Sequence, residues 1–182
     1  MKRILSFENI HIHIDLIAGL PLENIKSFEK GFNEVYSLSP DVLQLGFLKV
    51  LNGTQIKAEA EKYGILYSSY PPYQIIKTNC LSTEDIIKLK YAEDGLEELS
   101  NKKFFKKSLK YLFENNDIKP FSLFYKFGII LKNSPPLSNP KLYSTFYNFY
   151  LENNLKNEKE FLNLLIEDFK LKNPNKPLFK YK

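Results

Sequence analysis

Apolar and polar residues alternate singly along "IHIHIDLIA", Ile10 to Ala18. A period of two rich in β-branched residues predicts a strand. The pattern breaks at Gly19-Leu20-Pro21, and in "ENIKSFEKGFNEVYSLSP" the apolar residues Ile25, Phe28, Phe32, Val35 and Tyr36 recur at three- and four-residue spacings. That spacing predicts an amphipathic helix stopped before Pro40. "DVLQLGFLKVL" reads as a second strand, Asn52-Gly53 as a turn, and "TQIKAEAEKYG" as a short helix with Thr54 at its cap and Gly64 at its close. A strand–helix–strand–helix order implies parallel strands with crossover helices. Two such strands make a poor sheet, and "YQIIKT" is the one further strand on offer.

From Leu81 onward the period is helical. "LSTEDIIKLKYAEDGLEELSN" opens on Ser82 and Asp85, a variant of the capping box. Further helices are predicted at "KKFFKKSLKYLFEN", "PFSLFYKFGIILKN", "PKLYSTFYNFYLEN" and "NEKEFLNLLIEDFKLKN", joined by Asn- and Pro-rich connections. In "KKFFKK" the simplest arrangement is a solvated helix with Phe104 and Phe105 turned inward; basic and aromatic residues together also suit RNA. The tail "NPNKPLFKYK" reads as frayed. The fold class is therefore α/β followed by all-α: an incomplete parallel (β/α) barrel segment over residues 1–78, packed on a small helical bundle over 79–182.

At 182 residues the chain can bury a real core. Its apolar runs are far too short to cross a bilayer and its start has no continuous apolar segment, so it reads as soluble and cytoplasmic. Cys80 is the single cysteine, which excludes a disulfide framework and any iron–sulfur cluster held by this chain alone. With no base nearby in sequence it reads as a packing residue. The formal charge of +5 comes from lysines on helical segments; it permits a nucleic-acid partner without indicating one.

With these elements placed, "HIDLIAGLPLE" followed by "LQLGFLKVLNGT" resembles the later β/α units of a radical SAM enzyme barrel. In that family one strand ends in an Ile-x-Gly-Leu-Pro-x-Glu type sequence beside the adenine of S-adenosylmethionine, and the next ends in a Leu-x-Gly-Thr loop. The matching residues are Ile17, Gly19, Leu20, Pro21 and Glu23, then Leu51, Gly53 and Thr54. The segment from "YGILYSSYPPY" onward resembles the helical domain that follows the barrel in radical SAM proteins of the cobalamin-binding type. The resemblance implies S-adenosylmethionine and a [4Fe–4S] cluster, with cobalamin as a further cofactor, for a longer protein. The cluster loop Cys-x-x-x-Cys-x-x-Cys has no counterpart here, so no cofactor is expected to be held by this chain alone and no radical chemistry to occur on it. The sequence begins just inside what would be the helix before the first strand, which suggests a truncation, a split gene or a fragment.

On this resemblance the cofactor-binding residues are Asp15, Ile17, Gly19, Pro21, Leu51 and Gly53, and the substrate-facing ones His13, Gln44, Tyr70 and Tyr73. Read without it, each has a plainer role. His11, His13 and Asp15 share one strand face, which lines a solvated lumen or serves metal binding or proton transfer. Gly19 and Pro21 suit any strand-to-helix turn, and Glu23 suits the first turn of a helix. Gln44 sits on the second strand as a lumen or strand-end residue. "YSSYPPY" is a stacking lid or, more simply, an ordered linker between the halves.

The expected function is thus the C-terminal part of a radical SAM enzyme that supplies one wall of the cofactor site and is inert alone. Its partner is the missing barrel half, or a second copy paired through an exposed strand edge. The alternatives are a stand-alone helical module gripping a protein or RNA, and an independent small hydrolase or metal enzyme built on His11, His13 and Asp15. No membrane partner is expected.

Overall fold

The computed structural model describes residues 10–181; the helix expected before the first strand lies outside them. Among the described residues the chain is a short α/β part followed by helices, with no closed barrel. It divides into two compact units, Met1–Glu93 and Asp94–Lys182. The change from alternating to helical pattern near residue 78 and the division into compact units do not fall at the same place, because one helix runs through the division.

The first unit starts with β1 (His13–Ala18), shorter than the apolar alternation because residues 10–12 are not in a strand. α1 (Ile25–Ser37) follows, and Phe28 and Phe32 are its buried residues. Its start is fixed locally. Asn24 accepts from the Ser27 backbone N–H at 3.0 Å while Ser27 Oγ accepts from the Asn24 N–H at 3.1 Å, a reciprocal cap. β2 (Val42–Phe47) pairs parallel with β1, with Asp15 opposite Gln44 and Ile17 opposite Gly46. α2 is one turn, Gln55–Ala58. Thr54 stands at its cap position, but its hydroxyl donates back to the Leu51 carbonyl at 2.7 Å and does not cap.

"YQIIKT" does form a strand, but not a third parallel one. β3 (Leu66–Tyr67) and β4 (Ile75–Lys77) make an antiparallel hairpin, joined to the end of β2 by a bridge between Lys49 and Gln74. "YSSYPPY" is consequently the tip of this hairpin and not a linker between the halves. Its Pro71–Pro72 bond is cis. Cys80 is exposed, against its reading as a packing residue; the buried member of that turn is Thr78, whose Oγ1 accepts from the Cys80 and Leu81 N–H groups.

α3 (Thr83–Leu96) opens on the box its sequence announces: the Asp85 N–H donates to Ser82 Oγ at 3.1 Å, and the Ser82 N–H to Asp85 Oδ2 at 3.0 Å. It continues into a π-helix, Glu97–Asn101. In the second unit follow α4 (Lys106–Asn115), α5 (Pro120–Lys132), α6 (Asn139–Glu152) and α7 (Glu158–Lys172). α4 and α6 pack on α7.

The core of this unit is aromatic. Phe105, Phe121, Phe124, Phe127, Tyr143, Phe146, Tyr150, Phe161 and Phe169 are all essentially fully buried. Tyr150 and Phe161 stack at 3.7 Å between ring centres, and Phe105, Phe127 and Phe161 meet Phe146 edge-on. Edge-to-face and offset contacts suit the ring quadrupoles and add to area burial. The buried phenols keep partners: Tyr143 donates to the Phe104 carbonyl at 2.7 Å, Tyr147 to the Glu158 carboxylate and Tyr150 to the Lys156 carbonyl. Burial raises the pKa of Tyr143, helped by the Asp168 charge, and burial with the Glu158 bond pushes Tyr147 up to about 12.

Two features of this unit depart from the sequence reading, and one helix starts in a way that no local signal announces. Lys102–Phe105 is not helical; Phe105 alone of the pair is fully buried. α4 has no cap of its own, and its first turn is capped from another helix. The Asp168 carboxylate, 2% exposed, accepts from the backbone N–H groups of Lys107 and Ser108 and from Ser108 Oγ, at 2.8–3.1 Å. Nor is the tail frayed. Phe179 is buried against Tyr143 and Phe169, and Ser144 Oγ donates to the Lys180 carbonyl at 2.6 Å. Finally, Gly95 lies where α3 meets α5 so closely that an added Cβ would stand 2.0 Å from the Phe124 carbonyl oxygen.

Candidate functional site

Parallel strands bring their C-terminal ends to one edge, so the loops after β1 and β2 are neighbours by construction. The Leu48 N–H donates to the Ala18 carbonyl at 2.9 Å and holds them together. Gly19 leaves β1 with φ +93°, and a Cβ there would meet Ile75 Cδ1 at 2.7 Å. Both conditions demand glycine. Pro21 and Leu22 carry the turn, closed by the Glu23 N–H on the Leu20 carbonyl at 3.3 Å.

Glu23 is not in the first turn of α1; it stands before the cap residue Asn24. Its carboxyl folds back onto the loop. Burial raises its pKa, opposed by hydrogen bonds from the Gly19 and Leu20 backbone. One oxygen, Oε2, is buried with no partner. The second loop holds Leu51, exposed, and Gly53 at φ +78°, with Asn52 Oδ1 accepting from Lys57.

The hairpin joins both loops. Ile75 lies under Gly19, and the Val50 N–H donates to the Tyr73 carbonyl at 2.9 Å. Tyr73 is thereby placed beside Leu51. Tyr70 is at the hairpin tip, 77% exposed, in a turn in which its N–H donates to Ser68 Oγ.

Along the strands, His13, Asp15 and Ile17 lie on one exposed face of β1, with Gln44 beside Asp15 on β2, while Leu43 and Leu45 are buried. At a rise of about 3.3 Å per residue His13 is roughly 20 Å from Gly19. His11 and His13 meet edge-on at 4.7 Å, and His11 Nδ1 lies 3.5 Å from Asp41 Oδ2, a carboxylate already accepting from the Ile12 N–H. Among the described residues no group of three or more His, Cys, Asp and Glu side chains is placed to hold a metal ion. No helix among them is long and apolar enough to cross a membrane.

Two features escaped the sequence reading. Ile75 as the support under Gly19 has no local signal, because it comes from a strand more than 50 residues away. In the helical unit a cleft of about 380 Å³ is lined by Asp94, Glu97, Glu98, Lys102 and Lys132 beside Pro135 and Leu137. Burial raises the pKa of Asp94, with Lys132 opposing and Glu98 reinforcing the shift.

The model of the family described as "Protein of unknown function (DUF4080)" matches residues 61–181. The chain belongs to the DUF4080 family. The DUF4080 match starts before β3, so it takes in the hairpin as well as the helices and leaves the β1–β2 sheet outside. Compared with curated proteins, this DUF4080 chain has no match.

Proposed function

We propose that this chain is the C-terminal part of a radical SAM enzyme, supplying one wall of the cofactor site and a helical accessory domain, and catalytically inert alone. The observation that supports it is the β1–β2 pair. It is parallel, its two motif loops share one edge, and its outer face exposes His13, Asp15, Ile17 and Gln44. Among the described residues β1 has β2 on one edge and no strand on the other. Parallel strands are ordinarily covered on both faces and paired on both edges.

The residues present fit one side of S-adenosylmethionine. The exposed apolar surfaces of Ile17 and Leu51 would hold it, with Asp15, Gly19, Pro21 and Gly53 completing that wall, and His13, Gln44, Tyr70 and Tyr73 facing the substrate. When bound, that cofactor supplies the group chemistry of the reaction. These residues bind and orient it and exclude water. They do not fit the [4Fe–4S] cluster, which needs three thiolates where the chain has Cys80 alone, and no donor set here speaks for cobalamin. The partner is the polypeptide carrying the earlier strands and the cysteine loop, or a second copy joined through the β1 edge.

The test is reconstitution. The chain incubated anaerobically with iron and sulfide should show no charge-transfer band near the visible edge and no tight binding of S-adenosylmethionine by calorimetry. Mixed with the cysteine-loop polypeptide encoded at the same locus it should form a complex that binds the cofactor, weakened by at least about tenfold in Ile17→Ser, an exposed position whose substitution leaves the fold intact. A four-iron cluster on the isolated chain, or no complex with that polypeptide, would overturn the reading.

A further inference from the structure

The positive charge of this protein sits in one unit. Residues 94–182 hold sixteen lysines against ten Asp and Glu, a formal +6, while residues 1–93 are at −1. Within the helical unit the excess is narrower still. Two stretches free of acidic residues, 102–110 and 169–182, carry ten of the sixteen lysines, and the remainder of the unit is at −4.

The fold brings these two stretches together. Asp168 of α7 caps the start of α4 at Lys107 and Ser108. Tyr143 collects the rest: its hydroxyl binds the Phe104 carbonyl, its ring packs on Phe105 at 4.5 Å, and Phe179 of the tail stacks on it at 5.5 Å. Residues 104–108 and 168–180 thus surround one ring. Lys106, Lys107, Lys170, Lys172, Lys176 and Lys180 are all exposed. Lys107 pairs with Glu167 at 2.7 Å; the other five make no ion pair among the described residues. A surface with one sign of charge and few counter-ions of its own favours an anionic ligand.

We infer that this lysine surface binds RNA through its phosphates, with Tyr181 offering a ring on which a base stacks. Tyr181 is 44% exposed, set edge-on against Tyr147 at 6.1 Å and flanked by Lys180 and Lys182. Lysines tracking a backbone beside an aromatic platform are the usual elements of single-strand recognition. An anionic membrane is the weaker fit. Interfacial helices offer lipid a free apolar face, but Phe161, Leu165 and Phe169 of α7 are spent in the core, and Leu171 is the large apolar side chain of that helix that stands mostly exposed. This inference is independent of the cofactor reading, since it uses no residue of the first unit.

The experiment is fluorescence anisotropy of a labelled mixed-sequence 20-nucleotide RNA titrated with the full chain between 50 and 300 mM KCl. Binding should weaken steeply with salt. Lys106→Glu with Lys172→Glu should bind at least tenfold more weakly at 100 mM, with a log–log salt slope shallower by roughly 1.4 for two phosphate contacts. The equally charged control, Lys26→Glu with Lys77→Glu in the first unit, should stay within twofold. Tyr181→Leu should lose threefold or more while Tyr181→Phe keeps the wild-type value. Circular dichroism checks that each variant is folded. Absence of salt-sensitive binding at 50 mM, an equal loss in both charge pairs, or lysine-dependent capture by phosphatidylglycerol vesicles without RNA binding would each overturn the inference.

Discussion

In the helical unit Phe124, Tyr143, Phe146, Tyr150 and Phe161 are each buried to the last ring atom, whereas in the first unit Ile17, Leu20, Leu22, Leu51 and Leu66 stand between 42% and 76% exposed. The same chain thus builds one region that satisfies itself and another that does not. In the former, the buried phenols Tyr143, Tyr147 and Tyr150 each have an oxygen partner, and a helix start without a local cap borrows one from α7. In the latter, a parallel pair of strands exposes the face that carries His13, Asp15, Ile17 and Gln44. Each Å² of apolar surface kept in water forgoes roughly 25 cal/mol of burial.

The contrast can be broken most severely at the aromatic core. Phe161→Ala should cost about 3–5 kcal/mol in urea unfolding followed at 222 nm, through lost burial and the cavity beside Tyr150. Ile17→Ser on the open face should cost less than about 0.5 kcal/mol, as exposed positions do; a loss as large as that of Phe161→Ala would show the face to be covered. Next comes the borrowed cap. Asp168→Ala should cost roughly 2–3 kcal/mol, because it strands the Lys107 and Ser108 N–H groups in a buried place, and hydrogen exchange at those two amides should accelerate.

Gly19→Ala should cost about 1–2 kcal/mol from the left-handed backbone alone, with Ile75 forced to shift. A neutral result in thermal unfolding would mean the loop rearranges freely.

Titration gives the smallest effects. Tyr147, pushed up to about 12, and Tyr143, raised further, keep their protons longer when folded than unfolded. The folded state therefore binds more protons above pH 10, and its stability should fall as pH rises from 10 toward 12. Tyr147→Phe should remove one late-rising phenolate from the absorbance at 295 nm. Glu23 has a raised pKa in the fold, so its contribution runs the same way in the acid range: stability declines as pH rises from the ordinary carboxylate value to the folded one. In Glu23→Gln that decline should flatten.

What could be read from the sequence was whatever is decided within a few residues. The last three helices fall where the sequence put them, the one before them starts four residues late at Lys106, and the Ser82–Asp85 box forms as spelled. What could not be read depends on partners far along the chain. Ile75 pairs with Tyr67 in an antiparallel hairpin where a third parallel strand was expected, because strand direction is set by tertiary neighbours and not by period. Asp168 looks like an ordinary solvated acid of an amphipathic helix until Ser108, sixty residues earlier, is placed against it. Phe179 sits in a Pro- and Asn-rich tail that reads as frayed, and it is fixed only by the ring of Tyr143. Of the candidate site, the turn chemistry of Gly19 was legible, while its support by Ile75 and the inward fold of Glu23 were not.

Gly95 makes a position in the sequence into a ruler. Because the Phe124 carbonyl occupies the space a side chain would need, the identity of residue 95 reports the spacing of two helix backbones. A DUF4080 relative with alanine or serine there must hold α5 farther out and refill the gap with larger side chains along that seam. Glycine at this point should therefore travel with tight aromatic packing around Phe124, and the two can be traced together through the family without a further structure.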